Sequence, residues 1–261
     1  MGMAFIATEI REKVALITFD NPSRRNALCS KLLEELAANF EKLRAEHVPV
    51  AVLRAAPGAK VWSAGVDLAE LQKLQHDPLG YGSPLEQALR SVEAYPGPVI
   101  AMVRGGVWGG ACDLALTCDL AVGDPSAAFA ITPVKVGIPY NASGILHFIN
   151  HLGLNRAKEM FFTAEPIDAR RALDFGLLNH VVPAEELESF TLSLARRISA
   201  HSALSVAVIK EQFRILSGAH PISPETFERV EELRRTVYES HDYAEGIQAF
   251  LEKRPPAFRG D

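Results

Sequence analysis

Four glycines within six residues, Gly105, Gly106, Gly109 and Gly110, separate the apolar run Val99 to Val103 from the Ala/Leu-rich stretch Ala111 to Thr117. Five consecutive apolar residues read as a buried strand, and the stretch after the glycines reads as a helix. Glycine lets the chain turn between the two and lets a ligand come close to the backbone. Trp62-Ser63-Ala64-Gly65-Val66-Asp67-Leu68 has the same character, a strand giving way through Gly65 to a helix expected near Asp67. Free N–H groups at such turns can face an anion, so each can bind an oxyanion. One Gly-rich turn alone is more often only a tight turn. Neither is a phosphate loop, because no Gly-x-x-x-x-Gly-Lys-Ser/Thr occurs and no Gly-x-Gly-x-x-Gly opens the first βα unit. Nucleotide hydrolysis and dinucleotide redox chemistry are therefore excluded.

Around these junctions strands and helices alternate. Ala4 to Glu9 and Val14 to Phe19 read as strands joined by the polar turn Arg11 to Lys13. From Ser30, Leu32, Leu33, Leu36, Phe40 and Leu43 recur at helical spacing before Val48 to Arg54 returns to strand character. Ser83, Pro84 and Glu86 read as an N-cap, a first-turn proline and a reciprocal capping glutamate, which predicts a helix over Pro84 to Glu93. Beyond Asn141 the pattern is mostly helical, with segments near Gly144 to Leu152, Arg156 to Thr163, Asp168 to Phe175, Glu185 to Ser199 and Ser202 to Leu216, and two more from Pro224 and Tyr243. Asn179 to Val182, with His180, reads as a short structural strand. The expectation is an α/β core over residues 1–195 and a helical C-terminal part over residues 196–261, with no low-complexity linker between them.

The remaining composition narrows the function. No apolar run approaches the roughly 20 residues of a membrane-spanning helix, and Met1 to Ile6 carries no secretory signature, so a soluble cytoplasmic protein is expected. A net charge of −5 argues against a nucleic-acid surface, although Arg24, Arg25, Lys253 and Arg254 form two small basic clusters. Cys29, Cys112 and Cys118 read as free buried thiols, and no His/Asp/Glu/Cys set has metal-ligand spacing.

Asn26-Ala27-Leu28, Ser63 to Leu68, Gly109-Gly110-Ala111-Cys112-Asp113-Leu114-Ala115 and Cys118-Asp119-Leu120-Ala121 are similar, in order and spacing, to the motifs of the crotonase (enoyl-CoA hydratase/isomerase) superfamily. The resemblance continues through Phe162-Thr163-Ala164, Ala172 to Leu177, Asn179-His180-Val181-Val182 and Phe250 to Pro255, so it covers nearly the whole chain. It implies a spiral of ββα units, a C-terminal trimerisation region and assembly as a homotrimer or homohexamer. It also implies an acyl-CoA substrate, with coenzyme A entering only as part of the thioester and no separate cofactor. The N–H groups of Val66 and Gly110 correspond to the family's oxyanion hole, which stabilises a thioester enolate. Ala64, Gly65, Val66, Asp67, Leu68, Gly110, Thr132 and Lys253 correspond to substrate- and CoA-binding positions, Lys253 near the phosphates in its own or a neighbouring subunit. Arg24 and Arg25 are weaker candidates.

Where hydratases of this family carry two glutamates, this chain has Asp113 and Pro133. The first reaches about one methylene less far and the second is no acid or base. Loss of CO2 needs neither, because breaking the bond already yields the enolate. An apolar pocket and oxyanion donors suffice. The segments Ile131 to Val134, Gly137 to Asn141 and Val107 to Gly110 resemble the decarboxylase branch, which implies conversion of a short malonyl-type thioester, methylmalonyl-CoA to propionyl-CoA and CO2. That branch places Tyr140 and Thr132 by the substrate, with the Tyr140 hydroxyl orienting the leaving carboxylate. It also carries His where this chain has Val66. Trp108 is expected as a pocket wall, Asp119 in a turn, and Asp113 as a helix cap or the partner of a cation. The alternatives are a hydratase or isomerase with Asp113 as its only acid/base, and a non-catalytic acyl-CoA-binding protein.

Overall fold

The computed structural model describes residues 5–71, 79–217 and 223–260. Ala4, with which the first strand was expected to begin, lies outside them. Strands β1 (Ile6–Arg11) and β2 (Val14–Phe19) form an antiparallel hairpin with Ile6 opposite Phe19. Its turn residues Glu12 and Lys13 both have positive φ, at 49° and 68°, the backbone that matches the right-handed twist of a two-residue hairpin. Helix α1 (Ser30–Ala45) buries Leu32, Leu33, Leu36, Phe40 and Leu43, the five residues whose spacing predicts it.

From there the chain repeats a unit of two strands and a helix. Strand β3 (Val50–Ala55) is followed by β4 (Val61–Ser63) and then by α2 (Leu68–Leu71) and α3 (Pro84–Glu93). Strands β5 (Val99–Val103) and β6 (Gly106–Trp108) precede α4 (Gly110–Thr117), and β7 (Leu120–Gly123) and β8 (Ala128–Ala130) precede α5 (Ala142–Leu152) and α6 (Leu154–Thr163). The first strand of each pair joins one sheet and the second joins another. With β9 (Ile167–Asp168) and β10 (His180–Val181), which flank α7 (Ala169–Phe175), the orders are β1-β2-β3-β5-β7-β10 and β4-β6-β8-β9. Beyond the first hairpin all pairings are parallel except β8 with β9. This is the expected α/β spiral of ββα units, and it sets β4 and β6 side by side, so the loops that leave them converge.

Helix α8 (Leu187–Ser199) lays Leu187, Leu192 and Ala195 on the outer face of the larger sheet, against Val14, Leu16, Val50, Val52, Ile100 and Val122. The expected boundary after residue 195 falls inside this helix. Helices α9 (Ala203–Ser217), α10 (Pro224–Tyr238) and α11 (His241–Glu252) complete the chain. Helix α9 buries no residue of its own chain among those described. It is tied down by Lys210, whose Nζ donates to the carbonyls of Val92 and Gly97, each at 3.2 Å, and to Asp119 at 2.7 Å. Among the described residues no helix is long and apolar enough to cross a membrane.

Candidate active site

The N–H of Val66, the first expected oxyanion donor, is aimed by its neighbours. Asn26, in the left-handed region at φ 53°, donates from its side-chain amide to the Trp62 carbonyl at 3.1 Å, and Ser63 Oγ donates to the Asn26 carbonyl at 2.7 Å. Leu28 then pairs with Val66 in a parallel bridge: the Leu28 N–H donates to the Gly65 carbonyl at 2.8 Å, and the Asp67 N–H donates to the Leu28 carbonyl at 3.3 Å. In such a bridge the flanking residues do the bonding, so the N–H of Val66 points to the opposite side. It meets no acceptor among the described residues. Gly65 is held at φ +80°, and a Cβ there would lie 2.3 Å from the Trp108 carbonyl oxygen, so only glycine lets the two strand ends approach.

The N–H of Gly110, the second expected donor, opens α4. Gly109 donates its N–H to the Ala130 carbonyl at 2.9 Å and turns at φ 53°, ψ −125°. Gly110 is the first helical residue, and its N–H likewise finds no acceptor among the described residues. A Cβ built on Gly65 would lie 3.4 Å from the Gly110 nitrogen, and one on Gly110 would lie 4.0 Å from the Val66 nitrogen. Both free N–H groups therefore flank one spot, at the positive end of α4.

That spot opens on a cleft of about 690 Å³ walled by Ala64, Gly65, Val66, Asp67, Leu68, Gly110, Thr132 and Tyr140, with Arg25, Trp108 and Asp113 also in its lining. Much of the rest is apolar, including Leu71, Leu79, Leu85, Val136, Ile138 and Phe250. Lys253, named from sequence, is not in this lining: it is exposed and caps α11 in a left-handed conformation. Arg254 lines the cleft instead, held by Glu245 at 2.6 and 2.8 Å and by Glu252 at 2.6 Å. The Arg254 side chain first, and then the Ala257 N–H, hold the Glu245 carboxyl down to about 2. Arg24 pairs with the buried Asp67 at 2.6 Å, and Lys135 adds another cation to the wall.

At the inner end a polar group sits among hydrophobic side chains. The Tyr140 hydroxyl donates to Asp113 Oδ2 at 3.3 Å, and His147 Nδ1 lies 2.8 Å from Asp113 Oδ1. Asp113 thus bonds Tyr140 and His147 rather than capping the helix. The Tyr140 hydrogen is directed at this carboxylate, so orienting a substrate carboxylate would require it to turn. Phe148 and Phe161 pack edge-on to the Tyr140 ring at 6.3 and 5.0 Å and hold it. Burial, and then the nearby Asp113 charge, push the Tyr140 hydroxyl well above its ordinary value.

Glu86 behaves differently from the sequence expectation. Ser83 Oγ accepts the Glu86 N–H at 3.3 Å, as an N-cap does, but the Glu86 carboxylate accepts from Asn141 Nδ2 and from Ser143 Oγ at 3.0 Å. The reciprocal half of the capping box is absent because that carboxylate braces α5 instead. Burial raises its pKa against the pull of those bonds. His147 was not singled out by sequence, since a lone His on an amphipathic helix carries no signal until Asp113, 34 residues earlier, is seen against it. Asp119 accepts the Val99 N–H at 2.7 Å, and His180 packs edge-on to Phe190 at 5.1 Å, so both are structural. All three cysteines are buried and free.

The sequence profile of the Enoyl-CoA hydratase/isomerase family matches residues 9–261. The methylmalonyl-CoA decarboxylase of Escherichia coli strain K12 is 44% identical over 260 residues, covering 100% of both chains. The 2,3-dehydroadipyl-CoA hydratase of the same strain is 31% identical over 259 residues, covering 99% of this chain and all of that one. A solved methylmalonyl-CoA decarboxylase in complex with 2-nitronate-propionyl-CoA superposes with a TM-score of 0.96 at 44% identity, covering 98% of this chain and 99% of that one.

Proposed function

The chain belongs to the enoyl-CoA hydratase/isomerase family, and from this we propose that it is an acyl-CoA decarboxylase, a carbon–carbon lyase that converts methylmalonyl-CoA to propionyl-CoA and CO2. The carrying observation is the pair of unshared N–H groups of Val66 and Gly110 facing one spot in a cleft whose wall offers Pro133 at the position of a hydratase glutamate. The thioester carbonyl oxygen sits between the two donors. When the Cα–carboxylate bond breaks, its electron pair enters the thioester and the charge collects on that oxygen. Losing one such donor costs roughly 3 kcal/mol of transition-state stabilisation, about two orders of magnitude in rate. The apolar lining disfavours the ionised carboxylate more than the charge-dispersed transition state. The thioester is its own electron sink, so the step needs no resident cofactor.

Arg24, Arg25, Lys135 and Arg254 at the cleft suit the CoA phosphates, with Lys253 reaching a neighbouring subunit's ligand. The protein works as a homotrimer or homohexamer in the cytoplasm. Supporting the assembly, α9 and α10 expose Leu204, Phe213, Leu216, Phe227 and Leu233. A mass-spectrometric screen of acyl-CoA thioesters tests the reaction. Methylmalonyl-CoA is expected to yield propionyl-CoA, and crotonyl-CoA to remain unhydrated. Turnover of crotonyl-CoA with none of any short malonyl-type thioester would overturn the reading in favour of a hydratase.

A further inference from the structure

Loss of CO2 leaves an enolate that consumes one proton per turnover, and at the inner end of the cleft the Tyr140 hydroxyl is bonded to Asp113. Behind it lies a second cavity of about 610 Å³, between α4, α5 and α9, lined by His147, His151, Glu93, His201, Lys210 and Arg214 among apolar side chains. His147 borders this second cavity, whereas its partner Asp113 and the Tyr140 that bonds Asp113 border the first. We propose that Tyr140, Asp113 and His147 form a proton relay between the two cavities, delivering to Cα of the enolate a proton taken up from water in the second.

The hydrogen bonds are in place: Tyr140 Oη to Asp113 Oδ2 at 3.3 Å, and Asp113 Oδ1 to His147 Nδ1 at 2.8 Å. Asp113 is 1% exposed, so the link between the two cavities passes through a buried carboxylate. The Cα–carboxylate bond breaks, its electron pair becomes the enolate, and CO2 leaves. The Tyr140 hydroxyl turns from Asp113 to Cα, its O–H bond breaking as the Cα–H bond forms, and the proton on His147 Nδ1 crosses to Asp113 Oδ1. The Asp113 carboxyl then turns to bring that proton to the tyrosinate, restoring phenol and carboxylate. His147 is left as the neutral Nε2–H tautomer, and its ring turns so that the bare Nδ1 takes a proton from water in the second cavity before returning to Asp113, so one proton enters for each CO2 released.

The surroundings suit a loading station. Burial lowers the His147 pKa, but its bond to Asp113, the Asp113 charge, and then Glu93 and Glu86 from α3 outweigh burial and raise it. His151, one turn along α5 with its ring centroid at 4.5 Å, has its pKa lowered by burial and then by His147. Lys210 and Arg214 from α9 face the same cavity and bring positive charge, paired with Asp119 and Glu211, each at 2.7 Å.

The relay rests on the decarboxylase reading, and the test keeps the two apart. By microscopic reversibility the same groups must remove a C2 hydrogen from propionyl-CoA. Wild-type enzyme in D2O is expected to exchange those hydrogens, followed by NMR. The rate should rise with pH through the His147 titration, because neutral His147 must accept the proton. His147→Asn keeps a side-chain amide for Asp113 but cannot pass a proton on, so exchange should fall by about a hundredfold and lose its pH dependence. His147→Ala should regain exchange when imidazole is added, which a purely structural role would not predict. Wild-type exchange no faster than in protein-free buffer, or His147→Asn as fast as wild type, overturns the relay. CO2 release from methylmalonyl-CoA by the same wild-type preparation is measured alongside: release without exchange leaves the decarboxylase reading standing and removes the relay, and absence of release removes that reading.

Discussion

A methyl group added at Gly65 would meet the Trp108 carbonyl oxygen at 2.3 Å on a backbone held at φ +80°. Gly65→Ala is therefore expected to destabilise the protein by about 2–3 kcal/mol and to turn the Val66 N–H away from its partner at Gly110. Urea denaturation and kcat measured on the same sample check both, with activity falling by about a hundredfold in protein that is still folded. The two Gly-rich junctions were legible in the sequence, but it was the resemblance to the crotonase superfamily that picked the N–H groups of Val66 and Gly110 out of them as expected oxyanion donors. The inner polar group was not legible. Tyr140 bonds Asp113 across 27 residues and His147 reaches it across 34, and nothing local to α5 marks a histidine on its buried side as paired. Lys253 and Arg254 show the limit from the other direction: neighbours in sequence, one lines the cleft of its own chain and the other faces outward, because Lys253 takes the left-handed cap of α11.

At the scale of elements, long periodic segments such as α1 and the apolar strands β2, β3 and β5 announce themselves. The members of the second sheet are two or three residues long, too short for a period of two to register, and β6 (Gly106–Trp108) lies inside the glycine cluster that reads as a turn. Yet these short strands place the site, because pairing of β4 with β6 brings Gly65 under Trp108 and so Val66 beside Gly110. Helix α3 supports them from above: Leu85 lies against Gly110, where a Cβ would come within 3.1 Å of Leu85 Cδ2, and Glu86 braces α5 through Asn141 and Ser143. The cap of α3 is thus coupled to the site. Ser83→Ala should cost about 1 kcal/mol in chemical denaturation, and because Leu85 is in the second helical position it should also lower activity, whereas a cap on a remote helix would not.

Across the whole molecule, two cores flank the larger sheet, one shared with the spiral and one under α8, while α9 and α10 turn apolar side chains outward. Light scattering is expected to give three or six times the chain mass of 28.5 kDa; a monomer at micromolar concentration would contradict the assembly proposed from these faces. The central claim is that the fold exists to hold two N–H groups against a developing enolate, and binding tests it most directly. A 2-nitronate analogue of propionyl-CoA, a planar anion whose charge is shared between the nitronate oxygens and the thioester oxygen, should bind by calorimetry at least about a hundredfold tighter than propionyl-CoA itself. That margin should collapse in Gly110→Ala, whose Cβ would press on Val66 Cγ2 at 2.9 Å. Equal affinity of the wild-type protein for the charged and the neutral ligand would contradict the account.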